Sequence, residues 1–527
     1  MPAIHTQPAL QQPAFQAALA IVRTLRAAGH QAYLAGGCVR DLLLGRTPKD
    51  YDVATSAEPA IVLDLFPRTF AVGAHFGVVL VSMPIGNETE SQSTLTEVAT
   101  FRSDGAYSDG RRPDQVRYTQ TPEEDVQRRD FTINGLLLDP EILAPQILGH
   151  GTPVSAASTK AGAPGLAFET WAPQISAAST PNFGASTNST LRLHILDYVQ
   201  GLSDLDSKRI RAIGNPTLRF EEDHLRMLRA IRFAARFQFE IDPTTFRAIQ
   251  ANAARIDQVS NERIREELTR MLTEGHARRA FELLDSSGLL IHVLPEAAKL
   301  KGVQQPPEYH PEGDVWTHTL MLLEQLKLDD QPEAGVSLTL AWGTLLHDIG
   351  KPATFTPPTG PGDRIRFNQH AEVGTAIAQT ICQRLRFSNE ETAQILALVR
   401  NHMRFGDVHH MKPSTLKRFF RLNNFPEHLA LHHMDATASH GGLDNYRYAR
   451  EQYESTPEEA IRPQPLVTGR ELIALGHQPG PEFKAILHAV EEAQLEGKLN
   501  TPEEAIAFVE THFHLDPSNP IDPNIVP

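Results

Sequence analysis

Asp50 and Asp52 stand two residues apart in KDYDVATS, and alternate positions of an extended strand put both carboxylates on one face. Paired carboxylates at that spacing can hold magnesium beside a triphosphate. Just upstream, YLAGGCVRD offers a short apolar segment (Tyr33, Leu34, Ala35), a Gly36-Gly37 turn and a helix start near Val39. Glycine lets backbone N–H groups approach an anion, and a helix start adds partial positive charge. Arg40, just inside that helix, could clamp the same phosphate. A double glycine alone marks a turn, and a lone Asp-x-Asp is usually a solvated pair. Their joint occurrence between Tyr33 and Ser56, with Arg40 and Asp41 between them, is what points to nucleotide chemistry.

A second chemical stretch is EEDHLRMLRAIRFAARF, Glu221 to Phe237. Read as one helix at about 100° per residue, it gathers Arg226, Arg229, Arg232 and Arg236 within an arc of about 120°. Leu228, Ile231 and Ala235 face the other way, so the arginines can meet RNA phosphates or a triphosphate. Asp223 and Arg226, three apart, are then neighbours on one helix face. An acceptor beside a donor matches the Watson–Crick edges of cytosine and adenine. With guanine or uracil it leaves buried mismatches that cost about 1–3 kcal/mol each. The plain alternative is an intrahelical ion pair worth under about 1 kcal/mol.

A third set is His318, the His347-Asp348 pair that closes the apolar run LAWGTLLHDIGK, His370, His402 and Asp435. Histidine and aspartate ligate Mg, Mn, Ni or Fe-type ions. Their spread along helical sequence fits a bundle in which facing helices each contribute one or two ligands. Any one of them alone would read as structural. His409, His410, His432 and His433 read as surface residues.

Composition bounds these readings. At 527 residues the chain has room for about two to four domains. Its 41 % hydrophobic content is that of a globular protein. No apolar run reaches membrane-spanning length, and the N-terminus lacks the basic and apolar regions of a signal peptide. Two cysteines, Cys38 and Cys382, fit a reducing compartment, and the expected location is the cytoplasm. A net charge of −15 disfavours broad, sequence-blind RNA affinity, so cationic contacts must be local, as in the Arg226–Arg236 stretch.

In chain order, Phe15–Ala28 has helical spacing and stops at Gly29, and Gly77–Met83, Glu97–Phe101 and Leu193–Val199 alternate as strands. Residues 102–116 read as a mobile polar loop. Residues 141–190, rich in Ala, Ser, Thr, Gly and Pro, read as a disordered insert. The tail, Leu466 to Phe513, reads as two or three helices, the last capped by Thr501 or Asn500.

The Tyr33–Ser56 stretch resembles the first motif of class II tRNA nucleotidyltransferases and bacterial poly(A) polymerases. The resemblance implies an α+β fold with a polymerase-β-like nucleotidyltransferase head and a small mixed sheet, then all-α domains. The second motif matches EEDVQRRDFTINGLLLD, implying that Arg129, Asp130 and Asn134 meet the ribose and triphosphate. Glu97, in EVATFR, matches a third catalytic acid beside Asp50 and Asp52. Gly36, Gly37 and Arg40 would complete the nucleotide site. GLSDL resembles the third motif. Glu221–Phe237 resembles the fourth, in which Asp223 and Arg226 act as a protein template, with Arg229 and Arg232 on the nucleotide side. NERIREELTRML resembles the fifth, read as a brace.

The His-Asp region resembles the HD phosphohydrolase superfamily. His318, His347, Asp348 and Asp435 would form a first site, and His370 and His402 the extra ligands of two-metal members. The implied domains are a head over 15–206, a neck over 207–300, an HD domain over 301–450 and a tail over 451–527. The implied activity is template-independent addition of CCA to tRNA 3′ ends from CTP and ATP. It would use Mg2+ in the head and Mg2+ or a transition ion (Ni, Mn, Co or Fe) in the HD domain. A poly(A) polymerase is the nearest alternative, and a protein-modifying uridylyltransferase a more distant one.

Overall fold

The computed structural model describes residues 11–71, 77–84, 93–104, 116–142, 191–326, 336–439 and 441–513. Two compact units emerge: Met1–Ser260 with Ser286–Leu289, and Asn261–Asp285 with Leu290–Pro527.

The first unit is built on a seven-stranded mixed sheet. Its strands are β1 (Ala32–Ala35), β2 (Asp52–Thr55), β3 (Thr69–Phe70), β4 (Val78–Pro84), β5 (Ser93–Thr100), β8 (Leu136–Ile142) and β9 (Leu191–Asp197). β6 (Arg102–Asp104) and β7 (Val116–Tyr118) form a separate ribbon. The sheet order is β3-β4-β5-β2-β1-β8-β9, and β2 and β5 are its parallel pair. Helix α1 (Pro13–Ala27) covers β1 and β5 with Phe15, Leu19, Val22 and Leu25, the apolar stripe that the sequence spacing predicts. Val53, Val79, Val81 and Val98 are fully buried on the covered face. The opposite side of the same strands carries Asp52 and Glu97. Val53 pairs with Val98, so the two acids stand at the same level of neighbouring strands.

Three expectations need correction. Strand β2 begins at Asp52, so Asp50 precedes it, and strand alternation does not place the two carboxylates. The register gives the cause: Asp52 pairs with Ala35, the last residue of β1 before the Gly36 turn, so Asp50 has no β1 residue to pair with. The polar stretch 102–116 begins and ends in the β6–β7 ribbon, and its residues 105–115 lie outside the described residues. Glu221–Phe237 is two helices, α4 (Pro216–Glu222) and α5 (Arg226–Phe237). Asp223 turns the chain out of helical geometry because its Oδ1 accepts from Leu225 N at 3.1 Å, a local bond that competes with the helix. Of the insert, residues 143–190 lie outside the described residues.

The second unit is helical. α6 (Asn261–Thr273) braces α8 (Leu338–Leu346) through Trp342 Nε1 donating to Thr269 Oγ1 at 3.0 Å. Around α8 stand α7 (Val315–Gln325), α10 (Asn389–Asn401) and α12 (Phe425–Ala438); α9 (His370–Arg384) packs on α10, and α11 (Pro413–Phe420) lies beyond them. Gly350, just after His347-Asp348, packs its backbone on α9: an added Cβ would lie 2.1 Å from His370 O. The tail helices Gly469–Ala474, Pro481–Leu495 and Pro502–His512 enclose a core of Leu472, Ile486, Val490 and Val509. Thr501 caps the last of them in a capping box with Glu504. Arg418 of α11 and Arg421, its C-cap, both pair with Glu491 of the tail.

Candidate functional site

In the first unit the site is assembled where β1, α2 (Gly37–Leu43) and α5 meet the segment after α3 (Pro122–Gln127). Gly36 has φ +72°, a conformation that favours glycine, and a Cβ there would also crowd Arg129 Nη1 at 3.0 Å. Arg129 is held by Asp125, whose Oδ2 accepts from its Nη2 at 2.9 Å, while Oδ1 accepts from Arg128 Nη2 at 2.7 Å. Burial acts to raise the Asp125 carboxyl, but the two arginines hold it below its ordinary range.

Asp52 responds the other way. Burial first, then Glu97 and Asp50, push its carboxyl up to about 6 against the counter-effect of Arg129. That mutual repulsion is what a cation would relieve. The three acids thus fit a divalent ion by charge, although they are not among the described groups whose ligand atoms lie within 4.8 Å of one another.

Arg40 is buried. It donates to Asp41 Oδ1 at 2.9 Å and Asn134 Oδ1 at 2.6 Å, with its guanidinium 4.6 Å from the Phe237 ring centre. Asn134 donates onward to Asp130 Oδ1 at 2.9 Å, and Asp130 Oδ2 accepts from Arg229 Nε and Nη2 at 2.9 and 2.7 Å. One polar chain therefore runs from Arg40 through Asn134 and Asp130 to Arg229 on α5. Arg226 extends the link, donating to Glu222 Oε2 at 2.5 Å and to the Arg128 carbonyl at 3.2 Å. The partner of Arg226 in α4 is Glu222, four residues earlier, and Asp223 lies in the break between the helices. The shared helix face expected for Asp223 and Arg226 does not exist. Arg232 is buried, its guanidinium 4.3 Å from the Phe233 ring, whereas Arg226, Arg229 and Arg236 are part-buried.

Burial would raise the Asp130 carboxyl, but Arg229, Asn134 and the Phe131 N–H bring it down to about 2, from an ordinary 3.8. A depressed acid stabilises the fold above its unfolded value and loses that contribution as pH falls from about 4 through about 2. Asp130→Ala is expected to cost about 2–4 kcal/mol at pH 7, since it leaves Arg229 without its carboxylate. The difference from wild type should shrink toward pH 2 in urea titrations; a pH-independent difference would contradict the assignment.

The second unit holds a histidine–aspartate centre. His347 Nε2 lies 3.4 Å from His318 Nε2, and His370 Nε2 lies 3.1 Å from His402 Nε2. The Nδ1 atoms of His347, His370 and His402 each sit 2.7–2.9 Å from a backbone carbonyl, of Thr344, Phe367 and Val399, which fixes those rings with Nε2 inward. Asp348 lies between the pairs, 3.2 Å from His347 and 3.5 Å from His370, and Asp435 lies 3.1 Å from His318. Lys351 Nζ, 2.7 Å from Asp348, and His347 hold that carboxyl well below its ordinary range despite burial. Inward nitrogen lone pairs facing each other across about 3 Å repel unless a proton or a metal lies between them, so this donor set fits one or two divalent ions. His318, His347 and Asp348 form one group with ligand atoms within 4.8 Å, and Asp348, His370 and His402 another. The centre opens into a cavity of about 490 Å³, walled also by Tyr309, His310, Arg364, Phe367 and His432. His432, expected at the surface, is stacked on Phe405 at 4.4 Å and faces this cavity.

Family models match three parts of the chain: the Poly A polymerase head domain over residues 32–147, an RNA and SrmB-binding site of polymerase A over 238–301, and tRNA nucleotidyltransferase domain 2 over 367–509. The CCA-adding enzyme of Geobacillus stearothermophilus is 34% identical over 356 residues, 66% of this chain and 74% of that protein. The chain belongs to the CCA-adding enzyme family. The Levilactobacillus brevis CCA-adding enzyme is 28% identical over 94% of this chain and 96% of its own length. Other curated CCA-adding enzymes are matched over 59, 64, 64 and 65% of their length. The crystal structure of the Bacillus stearothermophilus CCA-adding enzyme in complex with CTP shares the fold. Its TM-score is 0.63 at 23% identity, over 95% of this chain and 98% of that one.

Within this member of the CCA-adding enzyme family, sequence reading missed the residues that hold others in place: Asp125, Glu222, Glu312 and His310. Asp125–Arg129 and Glu222–Arg226 are four apart on helical sequence, a spacing that pairs opposite charges. Among the described residues no helix is long and apolar enough to cross a membrane.

Proposed function

We propose that the protein adds CCA to tRNA 3′ ends, template-independently, from CTP and ATP. The observation that carries this reading is the polar chain, inside one compact unit, that joins Arg129 through the Asn134 carbonyl and side chain and Asp130 to Arg229 on α5. The Arg129 charge acts on Asp52, and Arg226 is tied to the same segment through the Arg128 carbonyl. In the reaction the terminal ribose 3′-oxygen bonds to the α-phosphorus, the bond to the bridging oxygen breaks, and pyrophosphate leaves. Two Mg2+ ions held by Asp50, Asp52 and Glu97 would supply a lowered hydroxyl pKa and neutralise phosphate charge. Gly36 and Gly37 keep the turn open to the phosphates, Arg129 faces them, and the Asn134–Asp130 pair meets the ribose side. Asp223 accepts from the exocyclic amine of cytosine or adenine while Arg226, oriented by Glu222, donates to the ring nitrogen. The division into head 15–206, neck 207–300, HD domain 301–450 and tail 451–527 belongs to the same proposal.

Arg226→Ala is the test of base reading. It should lower use of CTP and ATP and raise relative use of UTP or GTP by about 10-fold or more, the equivalent of one lost buried partner. Unchanged discrimination in single-nucleotide incorporation assays would show that Arg226 only braces the Arg128 carbonyl.

We further propose that the histidine–aspartate centre is an HD phosphohydrolase site acting on phosphoesters such as the 2′,3′-cyclic phosphate of damaged tRNA ends. The converging His318, His347, His370 and His402 rings support it, with Asp348 and Asp435. A bound ion (Ni, Mn, Co, Fe or Mg) would supply a Lewis acid and a nucleophilic hydroxide at neutral pH. Lys351 and Arg364 offer positive charge to the phosphate within the cavity.

A further inference from the structure

The four inward histidines of the second unit are oriented in two different ways. In His347, His370 and His402 the Nδ1 atom is fixed by a backbone carbonyl of the residue three positions earlier. These bonds cannot be removed by changing a side chain. His318 is different: its Nδ1 lies 2.7 Å from Oε1 of Glu312, a side chain 5 % exposed that precedes α7. The same Glu312 oxygen is 2.8 Å from Nδ1 of His310, whose ring lies edge-on to that of His318 with centroids 4.9 Å apart. The other oxygen, Oε2, is buried with no hydrogen-bond partner among the described residues.

We propose that Glu312 is the positioning residue of this centre. Its Oε1 accepts hydrogen bonds from the Nδ1–H groups of both rings. That fixes His318 in the tautomer whose Nε2 lone pair points at His347, Asp348 and Asp435, and it holds His310 in the cavity wall. This inference rests on the reading of the centre as a divalent-metal site. A carboxylate behind a ligating imidazole orients the ring and increases its donor strength, and loss of such a partner lowers metal affinity about 10–100-fold. A buried carboxylate with one oxygen unpartnered also carries charge that a cation on the far side of His318 would balance. The ligand atoms of His310, Glu312 and His318 also lie within 4.8 Å of one another, but an ion there together with one on Nε2 would need both nitrogens of His318 deprotonated. The hydrogen-bonded arrangement has no such requirement.

The experiment is calorimetric titration of Mn2+ and Ni2+ into the full-length, chelator-stripped wild type, Glu312→Ala and Glu312→Gln, with tRNA nucleotide addition as the check of folding. Glu312→Ala should raise the metal Kd about 10–100-fold with unchanged stoichiometry. Glu312→Gln, which keeps an acceptor oxygen but not the charge, should fall between it and wild type. Nucleotide addition should be unaltered in both. A Kd within about twofold of wild type for Glu312→Ala would overturn the proposal while leaving the metal centre standing. Loss of one ion per chain with unchanged affinity for the rest would overturn it too, since Glu312 would then be a ligand of its own ion. A wild type that binds neither metal would remove the centre itself.

Discussion

Asp52→Asn is expected to cut nucleotide addition by about a thousandfold or more, roughly 4 kcal/mol of transition-state stabilisation. In metal-free buffer at pH 8 it is also expected to make the protein more stable than wild type. Both effects have one origin. The Asp52 carboxyl is raised from 3.8 to about 6 by burial and by the neighbouring Glu97 and Asp50, so its ionisation opposes folding. The penalty is absent below about pH 4, grows between about pH 4 and 6, and is complete above that. Its size is roughly 1–3 kcal/mol. Asparagine keeps the shape and removes the charge, so the stability gain over wild type should appear at pH 8 and vanish at pH 3.5. An ion in the site would offset the same repulsion in the working enzyme. Asp50→Ala should match the activity loss, with tRNA still bound. Near-normal incorporation by either variant would remove the proposed catalytic centre, and a less stable Asp52→Asn protein at pH 8 would contradict the electrostatic account.

The second large effect is expected in the other unit. His347→Ala should reduce hydrolysis of 2′,3′-cyclic AMP by about a hundredfold or more, since it removes a ligand together with the lone pair opposing His318. Nucleotide addition should stay within about twofold of wild type, because the carboxylates proposed for it lie in the first unit. Asp348→Asn is the better companion than Asp348→Ala. Lys351 Nζ is bonded to Asp348 and to Gln305 Oε1 and is nearly buried, and stripping a buried cation of its carboxylate costs about 3–5 kcal/mol. The assay is run with Mg, Mn, Ni and Co. Hydrolysis that survives in His347→Ala, or is absent from wild type with every metal, would leave the centre without the proposed role.

What was legible in the sequence is what local chemistry dictates. The Gly36-Gly37 turn, Asp52 and the scattered His and Asp residues were visible because residue type and spacing carry them, whereas Arg129 and Asp130 came from the family resemblance. The structure brings His318, His347, Asp348, His370, His402 and Asp435 together from helices far apart in the chain. Features set by competition between local and tertiary bonds were not legible. The apolar and arginine periodicity of Glu221–Phe237 reads straight through Asp223, yet the Asp223 side chain captures the Leu225 N–H and His224 is buried with Nδ1 2.6 Å from the Phe220 carbonyl. The start of β2 was missed because it depends on where its partner β1 ends, at Ala35, which pairs with Asp52. Glu312 gave no signal at all, because its meaning lies in two rings that folding brings to it.

The central claim is tested most directly by sequencing the products formed by the purified protein from tRNA lacking its 3′ CCA, supplied with CTP and ATP together. The account predicts a single product class ending in CCA, with two cytidines incorporated before one adenosine and no further extension. Tails of adenosine alone, or addition to RNA of any sequence, would contradict it and assign the protein to poly(A) synthesis instead.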